Sequence, residues 1–177
     1  MTRVGVEFEL NGRRVSAWVR PEQTVLEVLR DETGATEVKY GCGEGVCGTC
    51  TVLLDGEAVN SCLMLAAQID GRSITTLRGL ARDGEEMHPL QQSFLEYGGS
   101  QCGFCTPGMI LMAYALLKES KAASREEIRE VIAGNLCRCT GYTKIVDAVE
   151  SYVHAGRTHQ PSAKVAGAEG IGGSDVS

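Results

Sequence analysis

The sequence predicts an α+β chain, a small sheet with one helix followed by four helices, on three observations. Polar–apolar alternation broken by an Asn-Gly and an Asp-Gly dipeptide fills the first part of the chain, the pattern of strands joined by tight hairpins. From about residue 85 the apolar spacing changes to three and four and is bounded by helix caps. The eight cysteines divide evenly, four in each part.

Val4, Val6, Phe8 and Leu10 alternate with polar or small residues, Asn11-Gly12 supplies a turn, and Val15, Ala17 and Val19 continue the alternation on a returning strand. Asparagine and glycine tolerate the positive φ that a two-residue hairpin turn needs at both central positions. After Pro21, Thr24 and Glu27 form a capping box at the head of a helix whose apolar side is Val25, Leu26, Val28 and Leu29, and Gly34 ends it. TVLL and EAVNS flank Asp55-Gly56 in a second hairpin, and Ile74, Thr75 and Thr76 suit a closing strand. Trp18 is expected in the sheet.

Pro89 to Tyr97 reads as a short helix stopped by Gly98-Gly99. Thr106-Pro107 predicts an N-cap with proline at the first helical position, ahead of GMILMAYALLKES. Ser124 and Glu127 repeat the capping box before a helix that runs to Gly134, and a last helix follows Gly141 to near Gly156, with Ile145, Val146, Val149, Tyr152 and Val153 at helical spacing. Domains are therefore expected at residues 1–80 and 81–156. Residues 157–177 form an extended tail of glycine, alanine and serine without periodicity, read either as a disordered end or as an arm packed on a partner.

Seventeen basic and twenty-three acidic residues give a net charge of −6, scattered instead of drawn into the basic stripe that nucleic acid would need. No apolar run reaches the roughly 18 residues of a membrane span, and the first residues hold no signal-peptide core, so a cytoplasmic chain without membrane contact is expected. Eight cysteines raise the question of a disulfide framework. Tight clustering and the missing secretory signal favour a metal, because C-x-C and C-x-x-C spacings suit converging thiolates better than long-range staples.

Residues 40–50 read Tyr-Gly-Cys-Gly-Glu-Gly-Val-Cys-Gly-Thr-Cys, giving C-x(4)-C-x(2)-C, with Cys62 at the far end of the hairpin. Plant-type ferredoxins use this spacing to bind a [2Fe–2S] core. Gly41, Gly43, Gly45 and Gly48 let the backbone turn tightly and aim N–H groups at the sulfurs. A zinc site usually pairs two C-x(2)-C knuckles, and only one is present here. The phosphate-loop reading fails for want of its lysine and its strand-to-helix setting.

The second group joins Cys102 and Cys105, just before a helix, to Cys137 and Cys139, between two others. Exposed N–H groups and the dipole at a helix start favour thiolate over thiol. Taken alone, this pair of motifs leaves zinc open beside iron–sulfur.

Residues 41–62, QCGFCTPGM at 101–109 and GNLCRCTGY at 134–142 resemble the iron–sulfur subunit of the molybdenum hydroxylases, the xanthine dehydrogenase, carbon monoxide dehydrogenase and aldehyde oxidoreductase type. The likeness takes in all eight cysteines, and only the tail departs from it. It implies a plant-type ferredoxin-like β-grasp domain followed by a four-helix bundle domain. It also implies two [2Fe–2S] clusters, one on Cys42, Cys47, Cys50 and Cys62 and one on Cys102, Cys105, Cys137 and Cys139. The implied partners are a large subunit holding molybdopterin and a medium subunit holding FAD, in a dimer of heterotrimers. The second cluster would lie beside the molybdenum cofactor and the first toward the flavin. Gln101 and Cys139 match positions that touch the pterin. The chain itself would carry no catalytic residue and would pass electrons.

A freestanding two-cluster carrier is the rival reading, and the added helical domain argues for a fixed interface instead. Arg138 between two cysteines could stabilise a reduced cluster or be merely solvated. Phe104 and Tyr142 are expected in the core, with shielding of the second cluster as the alternative. His88, His154 and His159 are too scattered for a metal set and are expected at the surface. The run MILMAYALL at 109–117 suits a central helix or a buried interface.

Overall fold

The computed structural model describes residues 2–81, 87–120 and 122–155; the tail at 157–177 and His159 lie outside the described residues. Strands β1 (Val4–Leu10) and β2 (Arg13–Val19) pair antiparallel about a turn in which Asn11 and Gly12 have φ of 51° and 80°. The second hairpin, β3 (Thr51–Leu54) and β4 (Glu57–Asn60), turns in the same way, with Asp55 at 50° and Gly56 at 94°. Each turn has positive φ at both central positions, as the two dipeptides predict.

The strand β5 (Ser73–Thr75) does not close an edge. It enters the middle of the sheet, order β2-β1-β5-β3-β4, parallel to β1 and antiparallel to β3. The reason is non-local: Ile74 is wholly buried, and the Asn11 side chain clamps the end of the strand, accepting from Thr76 N at 2.8 Å and donating to Thr76 Oγ1 at 2.9 Å.

Helix α1 (Val25–Glu27) carries the predicted capping box: Thr24 N donates to the Glu27 carboxylate at 2.7 Å, and Glu27 N donates to Thr24 Oγ1 at 3.3 Å. It continues as a wider π turn over Val28–Glu32, where Thr33 Oγ1 donates to Leu29 O at 2.6 Å. Side-chain competition for a backbone carbonyl is a known way to loosen a helix end.

Four helices follow, α2 (Pro89–Glu96), α3 (Thr106–Glu119), α4 (Arg125–Ile132) and α5 (Thr143–His154). α2 packs on α3 and α5, and α4 packs on α3 and α5. Two sequence expectations need correction here. Cys105, not Thr106, is the N-cap of α3, and the Thr106 hydroxyl donates to Ser100 Oγ at 3.1 Å. His88 is fully buried, not at the surface: its Nδ1 accepts from Leu90 N at 3.1 Å to cap α2, and its ring lies against Tyr114 and Tyr152. Histidine is rare as a cap, so sequence gives little warning of this role.

Two apolar cores result. Val6, Phe8, Leu26, Leu29, Val52 and Ile74 fill the first, and Leu90, Phe94, Met109, Ile128, Ile132 and Ile145 the second. Burying each such side chain is worth about 1.5–3 kcal/mol. All four residues of β3 are buried, with Val52 and Leu54 in the first core and Leu53 in the second. Successive side chains of a strand point to opposite faces, so β3 serves both cores, with α3 packed on its far face.

Candidate iron–sulfur site

All eight cysteines lie within the described residues and are free. They gather as two separate quartets. In the first, the thiols of Cys42 and Cys47 are in hydrogen-bonding contact, as are those of Cys50 and Cys62. In the second, Cys139 Sγ donates to Cys102 Sγ at 3.6 Å, and Cys105 meets Cys137. No three or more His, Cys, Asp or Glu among the described residues converge on a point suited to a single metal ion; the thiols approach two by two. Four soft sulfur donors in two pairs fit a two-iron cluster, two sulfurs to each iron.

Both quartets have an outward and an inward pair. Cys42 and Cys47 are half-buried over buried Cys50 and Cys62; Cys102 and Cys139 are exposed, while Cys105 is buried and Cys137 half-buried. Burial and hydrogen bonding both shift the thiols, and exposed Cys139 is raised by its contact with the Cys102 thiol. Glu44 N donates to Cys42 Sγ at 3.3 Å, and this bond, helped by Cys47, draws the Cys42 thiol down to about 6. The Phe104 N–H lowers Cys102 in the same manner. Burial pushes Cys62 up to about 11 and Cys105 up to about 12. Burial also raises Cys137, but the Thr140 hydroxyl at 3.2 Å and nearby N–H groups outweigh it, and the net shift is downward.

The first quartet hangs on an irregular loop, with Gly43, Gly45 and Gly48 at φ of 72°, 77° and 65°. Asn60 ties the loop to β4, donating from Nδ2 to Gly45 O at 3.0 Å. The second is assembled from helix ends: Cys102 and Cys105 precede α3, and Cys137 and Cys139 lie between α4 and α5. Cys137 N donates to the Tyr142 hydroxyl at 3.0 Å, so Tyr142, with its left-handed φ of 68°, shapes this loop. Phe104 is 49% exposed, not in the core. Arg138 and Gln101 are exposed, and Gln101 adjoins Cys102, which touches Cys139.

The quartets meet at a seam. Leu136 N donates to Cys47 O at 2.9 Å, Thr49 Oγ1 donates to Phe104 O at 3.1 Å, and buried Asn135 donates from Nδ2 to Gly48 O at 2.8 Å. Asn135 Oδ1 is buried with no hydrogen-bond partner among the described residues. Nothing in the residue pattern singled out Asn135 or Thr49, because their partners are distant in sequence. Around the first quartet Tyr40, Val46, Leu63 and Leu65 are exposed apolar residues, and around the second Phe104 and Leu136 are.

Comparison with known proteins agrees with this geometry. Residues 8–76 match the family of the 2Fe-2S iron-sulfur cluster binding domain, and residues 76–150 match the [2Fe-2S] binding domain. The nicotinate dehydrogenase small FeS subunit of Eubacterium barkeri is 50% identical over 84% of this chain and 94% of its own length. The nicotine 6-hydroxylase small subunit of Paenarthrobacter nicotinovorans is 49% identical over 83% of this chain and 88% of its own. Among solved structures, a chain of quinoline 2-oxidoreductase from Pseudomonas putida 86 superposes with a TM-score of 0.83 at 44% identity, over 88% of this chain and 96% of that one. Aldehyde oxidoreductase from Desulfovibrio gigas gives 0.80 at 39% identity, but this chain spans only 18% of its length. The chain, with its ferredoxin-like first domain and helical second domain, belongs to the iron–sulfur subunits of the molybdenum hydroxylase family.

Proposed function

We propose that this chain is the electron conduit of a heteromeric molybdenum hydroxylase, with a [2Fe–2S] cluster on Cys42, Cys47, Cys50 and Cys62 and another on Cys102, Cys105, Cys137 and Cys139. The observation that carries the proposal is the sorting of eight free cysteines into two quartets, each of two thiol pairs, joined at a hydrogen-bonded seam. Each cluster supplies one-electron exchange. The chain supplies the thiolates, the N–H groups of Glu44 and Phe104 that stabilise negative charge, and the two cores that hold the quartets in place.

On this reading residues 1–80 are the ferredoxin-like domain and 81–156 a four-helix bundle, and the tail at 157–177 reaches a partner subunit. The second quartet, by its exposed pair Cys102 and Cys139, faces a large subunit that holds molybdopterin, with Gln101 and Cys139 at the pterin. The first quartet, ringed by Tyr40, Val46, Leu63 and Leu65, faces a medium subunit that holds FAD; exposed apolar patches of this kind mark docking surfaces. Substrate oxidation on the large subunit releases two electrons, which this chain passes singly toward the flavin. A dimer of heterotrimers in the cytoplasm completes the reading. Among the described residues no helix is long and apolar enough to cross a membrane.

Metal analysis of the complex purified from its host through a tag on this chain tests it. About four irons per chain, with molybdenum and a large co-purifying subunit, is the expected result. Iron without molybdenum or a partner would indicate a freestanding carrier, and zinc without iron would end the redox reading.

A further inference from the structure

We propose that Asn135 is the positioning residue that holds the two quartets at their working separation, an inference that rests on both quartets carrying clusters. Asn135 is no ligand candidate, yet its side chain is completely buried and its Nδ2 donates to Gly48 O at 2.8 Å. Gly48 follows Cys47 directly, and Asn135 stands two residues before Cys137. Gly48 O also accepts from Thr51 N at 3.1 Å and Thr51 Oγ1 at 2.6 Å, so the amide grips a carbonyl already anchored to β3.

The fit leaves no room for a further carbon. A Cβ on Gly48 would lie 2.6 Å from both Asn135 Oδ1 and Gly134 O, and one on Gly108 would lie 2.5 Å from Gly48 O and 2.9 Å from Asn135 Nδ2. Three segments, the first cysteine loop, the first turns of α3 and the loop after α4, thus pack closely around one amide, which bonds the first of them. The shortest links between the quartets flank it. Cys47 O accepts from Leu136 N, one residue from Cys137, and Phe104 O, one residue from Cys105, accepts from Thr49, one residue from Cys50. Electron passage weakens steeply with separation, and Asn135 adds a third hydrogen bond to the two that close these links.

The test uses the full complex, fully reduced so that both clusters are paramagnetic, with the magnetic splitting between them read by electron paramagnetic resonance and iron measured in parallel. Asn135→Leu keeps the bulk and loses the donor; Asn135→Ala loses both. The expected result is the parent's iron content with the splitting reduced or lost and electron passage slowed. Full iron with unchanged splitting in Asn135→Leu overturns the inference. A parent protein without two clusters would instead overturn the proposed function. Should the Asn135 variants not take up iron, Gly108→Ala decides, because it drives a Cβ into the seam while favouring helix α3: reduced splitting supports the inference and unchanged splitting sinks it.

Discussion

The two quartets reach the same arrangement of thiols by opposite routes. In the first, three cysteines come from one irregular loop that glycines at positive φ allow to fold back on itself. In the second, the cysteines arrive in twos from helix ends that are far apart in sequence, and the packing of α3, α4 and α5 brings them together. A local site depends on backbone conformation, while an assembled one depends on the core beneath it.

Removing a ligand candidate should have the largest effect. Cys105→Ser is expected to lower iron from about four to about two per chain, sparing the signal of the first cluster, and Cys50→Ser should do the converse. Loss of both clusters in either variant would mean that the quartets form as one unit across the seam. Iron assay with paramagnetic resonance distinguishes the cases.

Core truncation comes next. Met109 is wholly buried beneath the second quartet, and Met109→Ala should cost about 3 kcal/mol of stability, measured by denaturant unfolding. Its effect on iron retention should fall on the second cluster, and an equal loss from both would blur the contrast between local and assembled sites.

Two glycines sharpen the comparison further. Gly48, with φ of 65° and Gly134 O close by, should tolerate alanine badly, at about 3 kcal/mol. Gly103 has φ of 80° with nothing within 4 Å of a Cβ, so Gly103→Ala should cost only the conformational penalty, about 1–2 kcal/mol. Thermal unfolding of the two variants tests the ranking, and equal losses would refute the steric part of it.

The smallest effect concerns the two capping boxes closed by a glutamate, Thr24–Glu27 and Ser124–Glu127, one in each half. The Thr24 N–H, then its hydroxyl, lowers Glu27 below its ordinary 4.5, and Ser124 does the same for Glu127. Because the folded values lie below the unfolded ones, this stabilisation is complete above the unfolded value and fades as pH falls through the folded value. Glu27→Gln and Glu127→Gln should each flatten the acid limb of a melting-temperature profile, and an unchanged limb would contradict the assignment.

Both hairpins were legible because Asn11-Gly12 and Asp55-Gly56 state their turn type locally, and both capping boxes because their partners lie three residues apart. The grouping of the eight cysteines was read from spacing, and the thiols of Cys102 and Cys139, distant in sequence, lie 3.6 Å apart. The central place of β5, the cap at Cys105, the burial of His88 and the exposure of Phe104 were not. Two of these depend on partners that sequence distance conceals: Asn11 for β5, Tyr114 and Tyr152 for His88.

What the sequence alone determined is the set of local elements and the two sets of four cysteines, since turn dipeptides, caps and short cysteine spacings act over a few residues. Only the tertiary structure decided which pair of each quartet faces outward, that β3 serves two cores, and that Asn135 closes the seam between the quartets. Those features arise from contacts between segments tens of residues apart, whose geometry no short-range pattern encodes.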